Sequence, residues 1–290
     1  MDSFCTAAMY VLHGLTIARS TRSRYCGRKR PKDGQKQGDM KLIVSGLAAE
    51  YADEGSGPVI LMLPGWMNTL HNFDALTSLL AAKYRIVRLD LPGFGGGTET
   101  PPSDWHISDY AAFVKSFIEK VGLTSYILIG HSFGGRVAIK GVGQNILHPS
   151  RLILIGSAGI AKHRTLRNRI LTVFAKIGKM ILYIPPLFFW RKQIRKKLYK
   201  WLRSDYLAAG AMSRVYLNAI REDLQEYARK ISIPTLLIWG SDDEMVPQRD
   251  GKLFANLVKD SKLEILPGVG HSPHCDRPEE VAQLITKFLL

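Results

Sequence analysis

The strongest constraint on the fold is an alternation of two hydrophobic periods that begins near Met40. Short runs rich in β-formers are followed by longer stretches with helical periodicity. This alternation is typical of a mostly parallel sheet covered by helices on both faces, and it predicts an α/β fold. Eight strands are expected, at residues 42–45, 48–53, 59–63, 85–91, 125–129, 152–155, 235–239 and 263–266.

Helical patterns fill most of the intervals between these strands. They lie at residues 69–83, 108–121, 133–146, 248–258 and 278–290, with Ser108 expected as the N-cap of the second. The alternation stops between Gly159 and Ile233, where helical periodicity continues without strand signals. We therefore expect a core of residues 40–159 and 234–290 with a helical insertion at 160–233.

The first 39 residues do not resemble part of the fold. They are rich in Arg and Ser, poor in acidic residues, and end in the polar run 29–39. This composition fits an organellar transit peptide better than a secretory signal. The alternative is an extension without a role, with Met40 as the functional start. We expect a disordered leader at 1–39, and a cytoplasmic protein unless that leader is a transit peptide.

The net charge of +15 is unevenly distributed along the chain. Residues 1–40 carry +5, and residues 161–203 hold thirteen Lys or Arg and no acidic residue, which leaves −3 for the remainder. A nucleic-acid-binding domain would instead carry a recognition motif alongside its charge, and none is present. Nucleic acid is therefore not an expected partner.

The cysteines and the apolar stretches exclude several other classes. Cys5, Cys26 and Cys275 show neither CxxC nor Cys/His metal spacing, so we expect no disulfide framework, no metal and no cofactor, in a reducing compartment. The longest apolar stretch, 181–190, is interrupted by two prolines and is too short to cross a bilayer.

A candidate nucleophile lies directly after the fifth predicted strand. Gly130-His131-Ser132-Phe133-Gly134 has the form GxSxG and opens a predicted helix. A strand-to-helix turn this tight forces the serine into a strained backbone conformation, which requires residues without bulk around it. The motif alone is not specific, but its position at the end of a strand and the start of a helix makes it a specific indication of a nucleophile. It predicts that Ser132 is a nucleophile, with the N–H of Phe133 contributing to an oxyanion hole.

A serine nucleophile needs an imidazole base and a carboxylate to orient that base. His271 follows the last predicted strand, where a loop can carry its ring over the carboxyl edge of the sheet. Asp242 and Asp243 follow the seventh strand. The order serine, acid, histidine matches one known solution to this geometry.

Together these segments resemble the α/β-hydrolase family over about residues 40–290. The motifs that carry the resemblance are Leu-Pro-Gly-Trp at 63–66, Asp-Leu-Pro-Gly-Phe-Gly at 90–95, Gly-His-Ser-Phe-Gly-Gly at 130–135, Trp-Gly-Ser-Asp-Asp at 239–243 and Gly-His at 270–271. The resemblance implies a helical cap at 160–233, inserted after strand 6 over the nucleophile. By its spacing from Trp-Gly, it also favours Asp243 over Asp242 as the catalytic acid.

The same resemblance completes the oxyanion hole with the N–H of Trp66. The family usually has His-Gly before that residue, whereas this chain has Pro64-Gly65, so the support of the loop differs. His131 corresponds to a position that supports the turn, and His274 is expected to pack or to enter a helix.

Three function classes remain open. The first is a serine hydrolase that cleaves a small-molecule carboxylic ester through an acyl-enzyme on Ser132. The second is a carbon–carbon bond hydrolase acting on vinylogous diketones, although Ser272 and His131 stand where that class usually has Trp and a small amide residue. The third is a non-catalytic receptor on the same fold.

The basic stretch at 161–203 also contains aromatic residues, among them Phe188, Phe189 and Trp190. A basic and aromatic surface can bind peripherally to anionic membranes. The alternative is a helical cap whose apolar face packs on the core while its charges are solvated.

Overall fold

The computed structural model describes residues 39–161 and 210–290. They form one eight-stranded sheet in the order β1-β2-β4-β3-β5-β6-β7-β8. The strands are β1 (Asp39–Val44), β2 (Leu47–Glu54), β3 (Val59–Leu63), β4 (Arg85–Leu89), β5 (Ile127–His131), β6 (Arg151–Ile155), β7 (Thr235–Gly240) and β8 (Ser261–Leu266). Strand β2 runs antiparallel to both of its neighbours, β1 and β4, and the other neighbouring strands of the sheet are parallel. All eight predicted strands are confirmed, with small shifts at their ends.

The described helices cover both faces of the sheet. They are α1 (Asp74–Leu80), α2 (Ile107–Val121), α3 (Phe133–Gly143), α4 (Ser213–Arg221), α5 (Gln225–Ala228), α6 (Gln248–Leu257), α7 (Pro273–Asp276) and α8 (Pro278–Leu289). Side chains of α2, α3 and α6 belong to one hydrophobic cluster, and those of α1 and α8 belong to the other. The predicted α/β fold class is therefore confirmed.

The central strands are apolar on both faces because both are covered. In β3, Leu61 and Leu63 face one cluster, whereas Ile60 and Met62 face the other. Successive side chains of a strand point to opposite sides, so a strand buried twice must be apolar throughout. This arrangement fixes the carboxyl ends of β3, β5 and β6 side by side.

Two predicted helix boundaries were wrong. Helix α2 begins at Ile107 with His106 as its N-cap, not at Ser108. The Asp109 carboxylate accepts a hydrogen bond from the His106 N–H at 2.7 Å, and this places the N-cap two residues earlier than Ser108. The segment predicted as one helix at 69–83 is a 3₁₀ turn, Leu70–Phe73, followed by α1.

The predicted leader at 1–39 and cap at 160–233 lie largely outside the described residues. Asp39 is the first described residue and also the first residue of β1. The last part of the predicted cap lies within the described residues and consists of a 3₁₀ turn (Gly210–Met212), α4 and α5, which follow β6 in the chain. Within the described ranges, no helix combines the length and hydropathy that crossing a bilayer requires.

Candidate active site

Ser132 lies at the sharp turn between β5 and α3, in a strained backbone conformation. Its φ is 49° and its ψ is −105°, which places a non-glycine residue at positive φ. The turn is held by its own main chain, because the Ser132 N–H donates to the Ile155 carbonyl at 3.1 Å. The side chain therefore stands at the carboxyl end of the central strand, ahead of the first turn of α3.

The glycines around Ser132 allow the turn to pack against its neighbours. A Cβ at Gly134 would stand 2.2 Å from the Leu63 carbonyl oxygen, and one at Gly130 would stand 2.7 Å from the Gly135 Cα. Neither distance is possible for a side chain. The GxSxG spacing thus reflects close main-chain contact on both sides of the serine.

His271 connects Ser132 to a buried carboxylate. The His271 Nδ1 lies 2.8 Å from Asp243 Oδ2, and its Nε2 lies 2.9 Å from Ser132 Oγ. An ionised carboxylate only accepts hydrogen bonds, so the proton is on Nδ1 and the bare Nε2 accepts from the serine hydroxyl. A hydroxyl bonded in this way to a neutral, oriented imidazole can become a nucleophile.

Asp243 and Asp242 occupy different environments. The second carboxylate oxygen of Asp243 accepts hydrogen bonds from the N–H groups of Met245 and Val246, at 2.9 and 2.8 Å. Asp243 is buried, whereas Asp242 is exposed and bonded to the Ser241 hydroxyl. Of the two candidates, only Asp243 contacts His271.

The loop of Trp66 meets the start of α3. The Pro64 carbonyl accepts a hydrogen bond from the Gly134 N–H at 2.9 Å, and the Trp66 ring lies edge-on to Phe133, with centroids 5.2 Å apart. Among the described residues, no main-chain carbonyl is bonded to the N–H of Trp66 or Phe133. Two N–H groups in this position are the usual donors to an oxyanion beside the serine.

Gly156 makes room for the histidine and its acid. It follows β6 with φ at +49°, and a Cβ there would stand 3.0 Å from the His271 carbonyl oxygen and 3.4 Å from Asp243 Oδ2. This role was not predicted from the sequence, where the only indication was a glycine directly after β6, the strand beside β5.

His131 and His274 form a buried imidazole cluster beneath His271. The His131 ring centroid lies 5.1 Å from that of His271 and 4.4 Å from that of His274. Burial is the largest cause that lowers the pKa of both rings, to about 3 for His274 and well below the usual value for His131. Neither ring contacts Ser132 as a base.

Two buried cations on α3 were not anticipated from the sequence. The Arg136 guanidinium donates to the carbonyls of Ala219 and Glu222 at the end of α4. The Lys140 ammonium is bonded to the Glu222 carboxylate and lies 3.7 Å above the Tyr227 ring. The only signal was two basic residues at four-residue spacing on an otherwise apolar helix.

The glycine-rich loop after β4 packs on a buried carboxylate. Asp90 accepts a hydrogen bond from the Leu70 N–H at 2.5 Å, and a Cβ at Gly95 would overlap its side chain. Gly95 therefore lets the loop of residues 93–97 pack closely on the carboxylate. Within 39–161 and 210–290, no group of three His, Cys, Asp or Glu side chains is arranged to hold a metal ion.

Comparison with known proteins identifies relatives of this architecture. The profile of the alpha/beta hydrolase family matches residues 60–284. A monoacylglycerol lipase of Xenopus laevis is 27% identical over 81% of this chain and 76% of its own length. A 2-hydroxy-6-oxo-6-(2'-aminophenyl)hexa-2,4-dienoic acid hydrolase of Metapseudomonas resinovorans is 29% identical over 84% of this chain and 88% of its own.

A solved structure extends the likeness to three dimensions. The crystal structure of a membrane phospholipase A, described as a bacterial virulence factor, superposes with a TM-score of 0.65 at 26% identity. The superposition covers 87% of this chain and 85% of that chain. The family profile spans well over half of the sequence, and the matched range includes the strand-to-helix turn at Ser132. The chain belongs to the alpha/beta hydrolase family.

Proposed function

We propose that the protein is a serine hydrolase that cleaves a carboxylic ester through an acyl-enzyme on Ser132. The observation that carries the proposal is the hydrogen-bonded series from Asp243 through His271 to Ser132. The distances between these three side chains allow the bonding pattern that acyl transfer uses, in which the acid accepts from Nδ1 and the serine hydroxyl donates to Nε2.

In the first half of the reaction, His271 Nε2 takes the proton of Ser132 as its Oγ attacks the ester carbonyl. The negative charge that develops on the carbonyl oxygen is held by the N–H groups of Trp66 and Phe133. His271 then gives its proton to the departing alkoxide, which leaves as the alcohol.

In the second half, the roles repeat with water. His271 takes a proton from a water molecule, whose oxygen attacks the acyl carbonyl. His271 then returns this proton to Ser132 Oγ as the bond between Oγ and the acyl carbon breaks, and the carboxylic acid leaves. Asp243 stabilises the imidazolium in both halves, because its two main-chain hydrogen bonds keep the carboxylate aligned with Nδ1.

The surroundings of Trp66 support an apolar acyl group as the substrate. Its ring contacts Phe94, Phe133 and Tyr216, with centroids 5.1, 5.2 and 5.0 Å apart. Phe94 and Phe133 are buried, whereas Trp66 and Tyr216 are partly exposed, so the accessible part of this cluster is aromatic and favours an alkyl chain over a charged one. The names of two relatives, a monoacylglycerol lipase and a phospholipase A, point to the same class.

The test combines covalent labelling with turnover. A fluorophosphonate should label the wild-type protein and not Ser132→Ala, because the activated Oγ attacks phosphorus. A series of nitrophenyl esters with graded acyl length then reports the preferred chain. Labelling that persists in Ser132→Ala would contradict the assignment of the nucleophile.

A second candidate is the hydrolysis of a carbon–carbon bond in a vinylogous diketone. The relative from Metapseudomonas resinovorans favours it, since that protein is named for such a substrate. The residues next to the base and the nucleophile, Ser272 and His131, depart from what that class usually carries. Turnover of a vinylogous diketone in the absence of esterase activity would favour this candidate.

A further inference from the structure

The His131 ring lies between the two loops that meet at Ser132. It is the last residue of β5, and its side chain is buried. Its Nε2 lies 3.0 Å from the main-chain oxygen of His271. A carbonyl only accepts hydrogen bonds, so Nε2 carries the proton and donates to the peptide group of His271. The nucleophile strand is thereby bonded directly to the main chain of the histidine opposite Ser132.

On its other side, the ring lies against the loop that carries Trp66. A Cβ at Gly65 would stand 2.9 Å from His131 Nδ1 and 3.2 Å from its Cε1, which leaves no room for a side chain. Pro64 has no side-chain hydrogen bond to offer where the family usually has a histidine. The His131 ring therefore fills the space beneath this loop.

The electrostatic state of His131 suits this placement. Burial above all, and then the neighbouring His274 and His271, lower its pKa well below the usual value. The ring stays neutral at ordinary pH. A neutral donor can hold the His271 carbonyl without adding a positive charge beside the imidazolium that His271 becomes during catalysis.

We propose that His131 is a positioning residue that holds the main chain of His271 and the loop at Gly65 in one register around Ser132. The proposal rests on the proposed ester hydrolysis. It assigns His131 no proton transfer of its own. Its effect is on the alignment of the base and of the Trp66 N–H, so its loss should lower kcat more than it raises KM.

The first test compares two unbranched replacements of His131. Gln can place a donor near the position of Nε2, whereas Met fills similar space without a donor. From initial rates over a range of nitrophenyl ester concentrations, we expect His131→Met to lower kcat by about 10- to 100-fold with KM changed by less than about threefold, as for other residues that orient catalytic side chains. His131→Gln should recover a large part of that loss.

His274→Met is the matched control. His274 is as deeply buried as His131 and belongs to the same cluster, but no hydrogen bond to the His271 main chain is found for it within the described ranges. We expect its kcat to stay within about threefold of wild type, whatever its effect on thermal stability. The melting temperatures of all variants are measured alongside, so that a loss of fold is seen directly.

The second test changes the residue that packs against the Nδ1 side of the His131 ring. Gly65→Ala leaves His131 unchanged but places a methyl group against Nδ1. We expect it to lower kcat by about tenfold in the wild-type background and by much less in His131→Met, because the hydrogen bond to His271 that a displaced ring would lose is then already absent. This non-additivity also keeps the test decisive if one His131 variant folds poorly.

Equal loss of kcat in His131→Met and His131→Gln would overturn the positioning role, as would an equal loss in the His274→Met control. Additive effects of Gly65→Ala and His131→Met would do the same. If the wild-type protein neither turns over esters nor labels at Ser132, the proposed function itself is wrong, and this inference falls with it.

Discussion

Asp242 and Asp243 show how much the position of a single residue decides. The two side chains are chemically identical and adjacent, yet one is exposed and the other is buried against His271. Two main-chain N–H groups hold the Asp243 carboxylate from behind, so its free oxygen can point only at Nδ1. The family spacing favoured Asp243 from the sequence, but the loop conformation is what separates the two.

Asp243→Asn should abolish most of the activity, while Asp242→Asn should not. An amide at 243 favours the wrong imidazole tautomer, and the comparable change in a serine protease lowers kcat by about 10⁴. Asp242→Asn removes only a surface carboxylate, and we expect its kcat within about threefold of wild type. Initial rates with a short nitrophenyl ester measure both. Similar losses in the two variants would show that the acid is wrongly assigned.

The His274 imidazole makes the fold sensitive to acid. Burial first, and then the nearby His271, lower its pKa to about 3 in the folded protein, compared with about 6.5 for a solvated histidine. Below pH 6.5 the unfolded chain therefore binds a proton that the folded protein does not. The contribution of His274 to the free energy of unfolding is therefore fully present above pH 6.5, and it is lost as the pH falls towards 3.

His274→Met should flatten this pH dependence. In the variant, the unfolded state no longer binds this additional proton relative to the folded state. Between pH 6 and 4, the free energy of unfolding should therefore change with pH less steeply, by about 1.4 kcal/mol per pH unit. The pH dependence of stability that His131 contributes should remain, because its pKa is also lowered by burial. Urea unfolding at a series of pH values, in wild type and variant, measures the difference. An unchanged slope would mean that His274 is protonated in the folded state.

Helix α3 joins two parts of the molecule at the level of secondary-structure elements. Its first turn follows Ser132, and its third turn carries Lys140, which is bonded to Glu222 just after α4. Tyr216, on α4, packs on Trp66. The same helix therefore positions Ser132 and holds the end of the predicted cap. Buried cations on a helix are otherwise costly, which explains why each has acceptors from the partner segment.

Glu222→Gln should destabilise the fold much more than Glu226→Gln. The Lys140 side chain is only 5% exposed, and that of Glu222 is 22% exposed, so the variant leaves a buried ammonium without its counter-charge. Breaking such a pair costs about 3–5 kcal/mol when it is fully buried, and we expect about 2–3 kcal/mol here.

Glu226 provides the control on the following helix. It pairs with Arg229 across 3.7 Å, with both side chains at least half exposed. Exposed pairs contribute about 0–1 kcal/mol. Urea unfolding of both variants at pH 7 gives the comparison. Equal destabilisation would show that Lys140 does not depend on Glu222.

The distribution of charge is a property of the whole molecule. The thirteen basic residues of 161–203 fall on positions outside the described ranges from 162 onward, and the expected membrane contact remains a prediction. The remainder of the chain beyond residue 40 carries a small negative charge. A lipid-like substrate would reach the site most readily if the basic stretch bound an anionic surface.

The protein should sediment with anionic liposomes at low salt and not with neutral ones. Each Lys or Arg near such a surface contributes about 1 kcal/mol, and salt weakens the attraction by shortening the Debye length. Changing Arg195, Lys196 and Lys197 to Glu should abolish the binding and leave turnover of a small ester nearly unchanged. Binding that survives the charge reversal would favour the alternative of a solvated cap.

The hydrophobic periods determined the strands, the helices on both faces and therefore the fold class. Local chemistry also determined the turn at Ser132, because glycines at fixed spacing around a serine between a strand and a helix leave few other conformations. These features are readable in the sequence since they depend on residues close together along the chain. The leader and the cap boundaries remain predictions.

Only the tertiary structure decided which distant groups touch. His131 and His271 are 140 residues apart, as Arg136 and Glu222 are 86 apart, and no periodicity records such pairs. The shift of the α2 N-cap from Ser108 to His106 has a related cause, since the sequence offered several polar residues and the packed helix selected one. Contacts of this kind follow from how the sheet brings its strand ends together, which is a property of the folded chain.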